Sequence, residues 1–128
     1  MAKKKKNQEE TKLLDAIIHG IEEKKGTDIV ILDLDNIPNS ICSHFVICTG
    51  TSSTQVEALA DSVTEEVQKA LKIKPWHVEG YENKQWILID YIDVVVHVFQ
   101  PDVREFYAIE DLWADAVLTR VEPLTAKP

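Results

Sequence analysis

Cysteine is scarce in this chain. Cys42 and Cys48 are its only two in 128 residues, and they are not spaced as a C-x-x-C pair. That excludes a disulfide framework and a cysteine-rich metal site, and it fits a reducing compartment. Long apolar runs are also missing. No stretch approaches the roughly 18 residues that a membrane span needs, and the N-terminal lysines are followed by polar residues rather than a signal-type apolar segment. The expectation is a cytoplasmic protein without a membrane partner. Nucleophile signatures are absent too: there is no G-x-S-x-G, and Cys42 has only His44 near it in sequence.

Basic residues are few where folding is expected. The formal net charge is −8, and four of the fourteen Lys and Arg are Lys3 to Lys6. Between residues 75 and 122, ten acidic residues face only Lys84, Arg104 and Arg120. A body of this charge does not bind nucleic acid by neutralising phosphates. It suits a basic protein partner, and it also serves solubility.

What the chain does have is one apolar-rich core unit. Residues 1–10 lack apolar periodicity and read as a disordered basic arm. Residues 11–115 form the expected single domain, with 116–128 a flexible tail. Lys12 to Lys25 reads as a helix from Leu13, Leu14, Ile17, Ile18 and Ile21, with Gly26 closing it in a left-handed conformation. Strands follow at 28–35 and 45–49, then a helix from about Ser53 to Lys72, started by capping boxes at Ser52/Gln55 and Thr54/Glu57. Pro101 opens two short helices broken near Tyr107, with Val103, Phe106, Ile109, Leu112 and Trp113 as a core stripe. The fold class is α/β (α+β): a mixed, mainly five-stranded sheet with packed helices.

Residues 76–99 organise the rest as three antiparallel strands, at about 76–80, 85–90 and 93–99. Pairing Gly80 with Gln85 and Asp90 with Asp93 puts Trp76, Val78, Ile87, Ile89, Val94, Val96 and Val98 on an apolar core face. The other face carries His77, Glu79, Trp86, Leu88, Asp90, Asp93, Val95, His97 and Phe99, a composition suited to recognition as well as to partial burial under a helix. In this register Trp86 opposes His97 and Asp90 opposes Asp93. The two aspartates are either hydrated turn residues or a pair awaiting a cationic partner.

Two enzymatic or metal readings compete. Asp33-Leu34-Asp35 and Thr49-Gly50-Thr51-Ser52 resemble the acidic pair and phosphate loop of a nucleotidyltransferase, in reversed order. His77, Glu79, Asp90, Asp93 and His97 share a face, but the register does not bring them clearly to one point. His97 is read instead as paired with Trp86.

Glu79-Gly80, Trp86-x-x-x-Asp90, Asp93-Val94-Val95-Val96-His97-Val98-Phe99, Arg104-x-Phe106-Tyr107 and Leu112-Trp113 form an ordered set. Upstream stand Phe45-Val46-Ile47-Cys48-Thr49-Gly50, Ser52-Ser53 and Gln55-Val56. Together, from about Lys12 to Trp113, the chain resembles the ribosomal silencing factor, or Iojap-like, family. The resemblance implies a nucleotidyltransferase-like fold without the catalytic set, with no active site and no cofactor. It implies docking on the large ribosomal subunit, through large-subunit ribosomal protein fourteen, where the small subunit would join. Translation is then lowered when nutrients are scarce. A homodimer off the ribosome is a further expectation. The contact residues it implies are Glu79, Trp86, Asp90, Asp93, His97, Arg104 and Tyr107, with Arg104 alternatively paired inside its own domain. The chain departs from the family pattern at Ile92, where glycine is usual, at Ser43 and His44, where acidic and aromatic residues are common, and at Thr54, where arginine often stands.

Overall fold

Helix α1 (Ala2–Glu23) leads into β1 (Thr27–Asp33), β2 (His44–Thr49), α2 (Ser53–Leu71), β3 (His77–Glu79), β4 (Trp86–Asp90), β5 (Val94–Phe99), α3 (Pro101–Tyr107), α4 (Ile109–Leu112) and β6 (Val117–Arg120). This computed structural model describes residues 2–40 and 42–122, with the side chains of 2–7 outside the description. No described helix is long and apolar enough to cross a membrane.

The strands form one sheet in the order β3-β4-β5-β2-β1-β6, and only β2 and β5 run parallel. The expected five strands are therefore six. β6 falls in the stretch expected to be a flexible tail. All four of its residues are exposed, so it carries no burial pattern, and its place is set by the backbone ladder to β1. Residues 123–128 of that tail lie outside the described residues.

Helices α1 and α2 cover one sheet face. Leu13, Ile17 and Ile21 meet Val56, Leu59, Ala60, Val63 and Val67 above Ile87, Ile89, Val94, Val96 and Val98. The helices cross closely at Gly20, where an added Cβ would lie 2.8 Å from Val63 Cα. There Ser62 Oγ donates to the Gly20 carbonyl at 2.7 Å. α1 starts at Ala2, not near Lys12, so the expected disordered arm continues the helix. Lys, Gln and Glu are good helix formers once a packed turn has nucleated the helix. At the other end the left-handed residue is Lys25, φ 61°, rather than Gly26. Gly26 is required for space, since a Cβ there would meet Ile21 Cγ2 at 2.5 Å. Ser52 caps α2 as expected, accepting from Gln55 N at 3.1 Å. The Gln55 side chain accepts from Thr51 N and donates to the carbonyls of Lys24 and Lys25, joining the two helix ends.

The meander forms with its faces as expected and its register shifted by two. Trp86 pairs with Phe99, Leu88 with His97, Asp90 with Val95 and His77 with Asp90. A two-residue slip preserves every facing, because side chains alternate with period two. The shift comes from a turn displaced by one residue, with Tyr91 rather than Asp90 closing it. Tyr91 N donates to Val94 O, and Asp93 N donates to Tyr91 O, at 2.9 Å each. With φ 76° at Ile92, this is the positive-φ γ-turn. Asp93 thus leaves the ladder and does not oppose Asp90.

Two apolar expectations are corrected. Trp76 stands before β3 and is 72% exposed instead of buried in the core. In the C-terminal stripe, Val103, Ile109 and Trp113 join the second core, but Phe106 and Leu112 are exposed. Ala108, at φ 43°, breaks the helix and resets its phase for Ile109–Leu112, while the short α3 ends at Tyr107 with Phe106 on its open side.

Candidate functional site

Strand β4 presents Trp86, Leu88 and Asp90 on the face opposite α1 and α2, as alternation requires. At one end Trp86 is half-buried and at the centre of an aromatic cluster. Its ring lies 4.8 Å from Phe99, 5.0 Å from Tyr107 and 5.9 Å from His97. Phe45 continues the cluster edge-on to His97 and Trp113. Trp86 Nε1 donates to His97 Nδ1 at 3.1 Å, the pairing expected from sequence, reached diagonally rather than directly across the ladder. The ring therefore carries its proton on Nε2, which is buried and unpartnered. Burial of His97 lowers its pKa from 6.5 to about 4, so the imidazole is neutral.

At the other end of β4, Asp90, Ile92, Val95, Cys42 and the exposed Trp76 line a cleft of about 330 Å³. Asp90 Oδ1 accepts from Ile92 N at 2.7 Å, which steadies the turn. The Asp93 carbonyl accepts from Ser43 N and His44 N, which holds that turn against the start of β2. The Cys42 thiol reports the local field. Its pKa is pushed up to about 11 by burial first, then by Asp90, and also by Asp93 and Asp35. The cleft is apolar in its walls and negative at its rim.

The remaining expected contact residues divide by burial. Tyr107 is half exposed beside Phe106, with ring centroids 5.0 Å apart. Glu79 is exposed on β3 and sits 2.7 Å from His77 Nε2. Arg104 is turned inward, as its alternative reading had it. Its Nε and Nη2 each reach Glu110 at 3.0 Å, and Nη1 donates to the Asp28 carbonyl and to Thr49 Oγ1 at 2.7 Å. Sequence reading missed Trp76, Phe106 and Leu112 as surface residues. The signal available for Trp76 was its position just after Pro75, ahead of the strand's alternation.

Among the described residues, the His77, Glu79, Asp90, Asp93 and His97 set does not converge. His77 is bound to Glu79, His97 is bound to Trp86, and Asp93 sits in the turn. The nucleotidyltransferase parts are also apart. Thr27 pairs with Thr49 at one end of β1, and Asp33 pairs with His44 at the other. Six residues of strand separate them by roughly 20 Å. The cavity at Thr49 and Thr51 is lined by Asp28, Glu105, Glu110 and Asp111, and its one arginine is already committed, which disfavours a phosphate.

The chain matches, over residues 6–128, the family described as Ribosomal silencing factor during starvation. It is 40% identical over 111 residues to a ribosomal silencing factor of Halalkalibacterium halodurans, covering 86% of this chain and 92% of that one. A ribosomal silencing factor of Haemophilus influenzae is 40% identical over 102 residues, covering 80% and 98%. A crystal structure of a protein from Chromobacterium violaceum superposes with a TM-score of 0.77 at 36% identity, over 89% of this chain and 94% of that one. By sequence and by fold, this chain belongs to the ribosomal silencing factor family.

Proposed function

We propose that this protein is a cytoplasmic translational repressor that binds the large ribosomal subunit and blocks joining of the small subunit. The contact is large-subunit ribosomal protein fourteen, at the face the small subunit would occupy, and the repression serves nutrient limitation. The mechanism is steric and asks only for a stable interface. The observation that carries this reading is the surface along β4. Exposed apolar side chains (Trp76 and Ile92 at one end, Tyr107 and Phe106 at the other) flank Asp90 and Asp93, neither of which forms an ion pair among the described residues. Buried aromatic anchors ringed by charge are the common anatomy of a protein interface. Trp86 and Tyr107 would provide apolar contact, and Glu79, Asp90 and Asp93 would meet lysine and arginine of the partner. His97 and Arg104 lie beneath that surface and position it, His97 through Trp86 and Arg104 through the α3–α4 junction. Off the ribosome the same apolar residues favour a homodimer.

The test is cosedimentation of the full chain with separated ribosomal subunits, run beside a subunit-joining assay. Binding to the large subunit with a fall in joined ribosomes is expected. Failure to bind either subunit would overturn the reading. Binding without a fall in joining would overturn its steric mechanism.

A further inference from the structure

A second cluster lies behind the acidic turn, and none of its side chains is among the proposed contact residues. Glu10 of α1 is buried, with its side chain only 8% exposed. Its Oε1 accepts from Ser43 Oγ at 3.2 Å. Its Oε2 lies 3.6 Å from His44 Nδ1, and that nitrogen is inaccessible and has no hydrogen-bond partner. A gap of 3.6 Å is too long for a hydrogen bond. It is close to the separation of two ligands on one tetrahedral ion with bonds of about 2.0–2.1 Å. Asp35, in the loop after β1, supplies a third donor: a carboxylate oxygen each of Glu10 and Asp35 and a ring nitrogen of His44 lie within 4.8 Å of one another. The supports are also present. Asp33 Oδ2 faces the far nitrogen of the imidazole at 4.0 Å, and Asp33 Oδ1 accepts from Asp35 N at 3.0 Å. A ligating imidazole commonly has a carboxylate at its other nitrogen.

We propose that Glu10, Asp35 and His44 bind a divalent transition-metal ion of the zinc type. Glu10 and Asp35 donate carboxylate oxygens and His44 donates Nδ1, while Ser43 and Asp33 orient them. Two carboxylates and a neutral imidazole balance a 2+ charge, and the lack of thiolate favours a borderline ion over a soft one. The exposed Asp35 side leaves a path for entry and a position for water. The ion fastens α1 to the loop after β1 and to the start of β2. Because Ser43 N and His44 N bond the Asp93 carbonyl, it braces the turn of the proposed contact surface from behind.

The test uses the full chain, stripped by chelator and titrated with Co²⁺, followed by visible absorption, and with Zn²⁺, followed by calorimetry. One ion per chain is expected, with a rise in Tm on Zn²⁺. His44→Phe and Asp35→Asn should each weaken binding more than tenfold, and Ser43→Ala about tenfold. His77→Ala, at the exposed His77–Glu79 pair, should leave binding unchanged. Circular dichroism in chelator separates loss of site from loss of fold. If His44→Phe fails to fold, the exposed Asp35→Asn decides alone. Absence of saturable binding, or binding that survives Asp35→Asn, would overturn the proposal. Binding abolished by His77→Ala would do the same.

Discussion

Ile92 shows how one residue sets local geometry against its own preference. A β-branched side chain at φ 76° is strained, and the turn holds it only because Tyr91, Val94 and Asp90 bond around it. Ile92→Gly should raise stability by about 1 kcal/mol, seen as a Tm increase of roughly 3 °C by calorimetry. An unchanged or lower Tm would mean that the side chain's packing outweighs the strain. His97 is the residue with a pH signature. Its folded pKa is depressed to about 4 from 6.5, so the unfolded chain takes up a proton between those values that the folded chain refuses. The neutral imidazole therefore contributes stability above pH about 6.5, and that stability is lost as pH falls through this window. Urea unfolding at pH 7 and at pH 4.5 should show a loss in the native chain that is smaller in His97→Gln by on the order of 2–3 kcal/mol. Equal losses would mean that His97 is already charged or not buried. Sequence identified the Trp86–His97 pairing, but the depth of His97 depends on Phe45, which reaches it from β2 and is itself backed by Trp113.

At the scale of elements, the α3–α4 junction depends on Arg104. The side chain is only 12% exposed and binds Glu110 across the break at Ala108 while reaching the ends of β1 and β2. Removing one partner of a largely buried pair leaves the other uncompensated. Arg104→Ala should therefore cost about 2–3 kcal/mol in urea unfolding, the partial exposure of Glu110 keeping it below the fully buried case. Glu110→Gln should cost less, because the amide still accepts. A neutral Arg104→Ala with weakened partner binding would instead make Arg104 a contact. The elements most visible from sequence were those with a strong period: the α1 and α2 stripes, the β2 run and the meander. β6 was invisible, since an edge strand with four exposed residues has no buried face to pattern. The N-terminal turns of α1 were missed for a related reason, since Lys, Gln and Glu there make no apolar stripe.

At the scale of the whole molecule, the relevant quantity is negative charge gathered beside exposed apolar groups. Asp90→Lys with Asp93→Lys should weaken large-subunit binding more than about tenfold while Tm stays within a few degrees. The native complex should also weaken more steeply with added salt than the variant's, because screening removes attraction only where it exists. Undiminished binding would remove the carboxylates from the interface. Collapse of the fold would make Asp90 chiefly a turn residue, which its bond to Ile92 N already makes it in part.

Sequence by itself determined the fold class, the facing of each meander strand, the cap at Ser52 and the family. Each of these follows from short-range periodicity or an ordered motif. Only the tertiary structure decided the two-residue register, because a γ-turn at an isoleucine has no composition signal. It alone placed Trp76, Phe106 and Leu112 on the surface, because a helical or strand period cannot reveal where an element begins or is interrupted. It alone turned Arg104 inward and brought Glu10 to His44, since these contacts join residues distant in sequence whose meeting depends on how α1, α3 and the sheet stack.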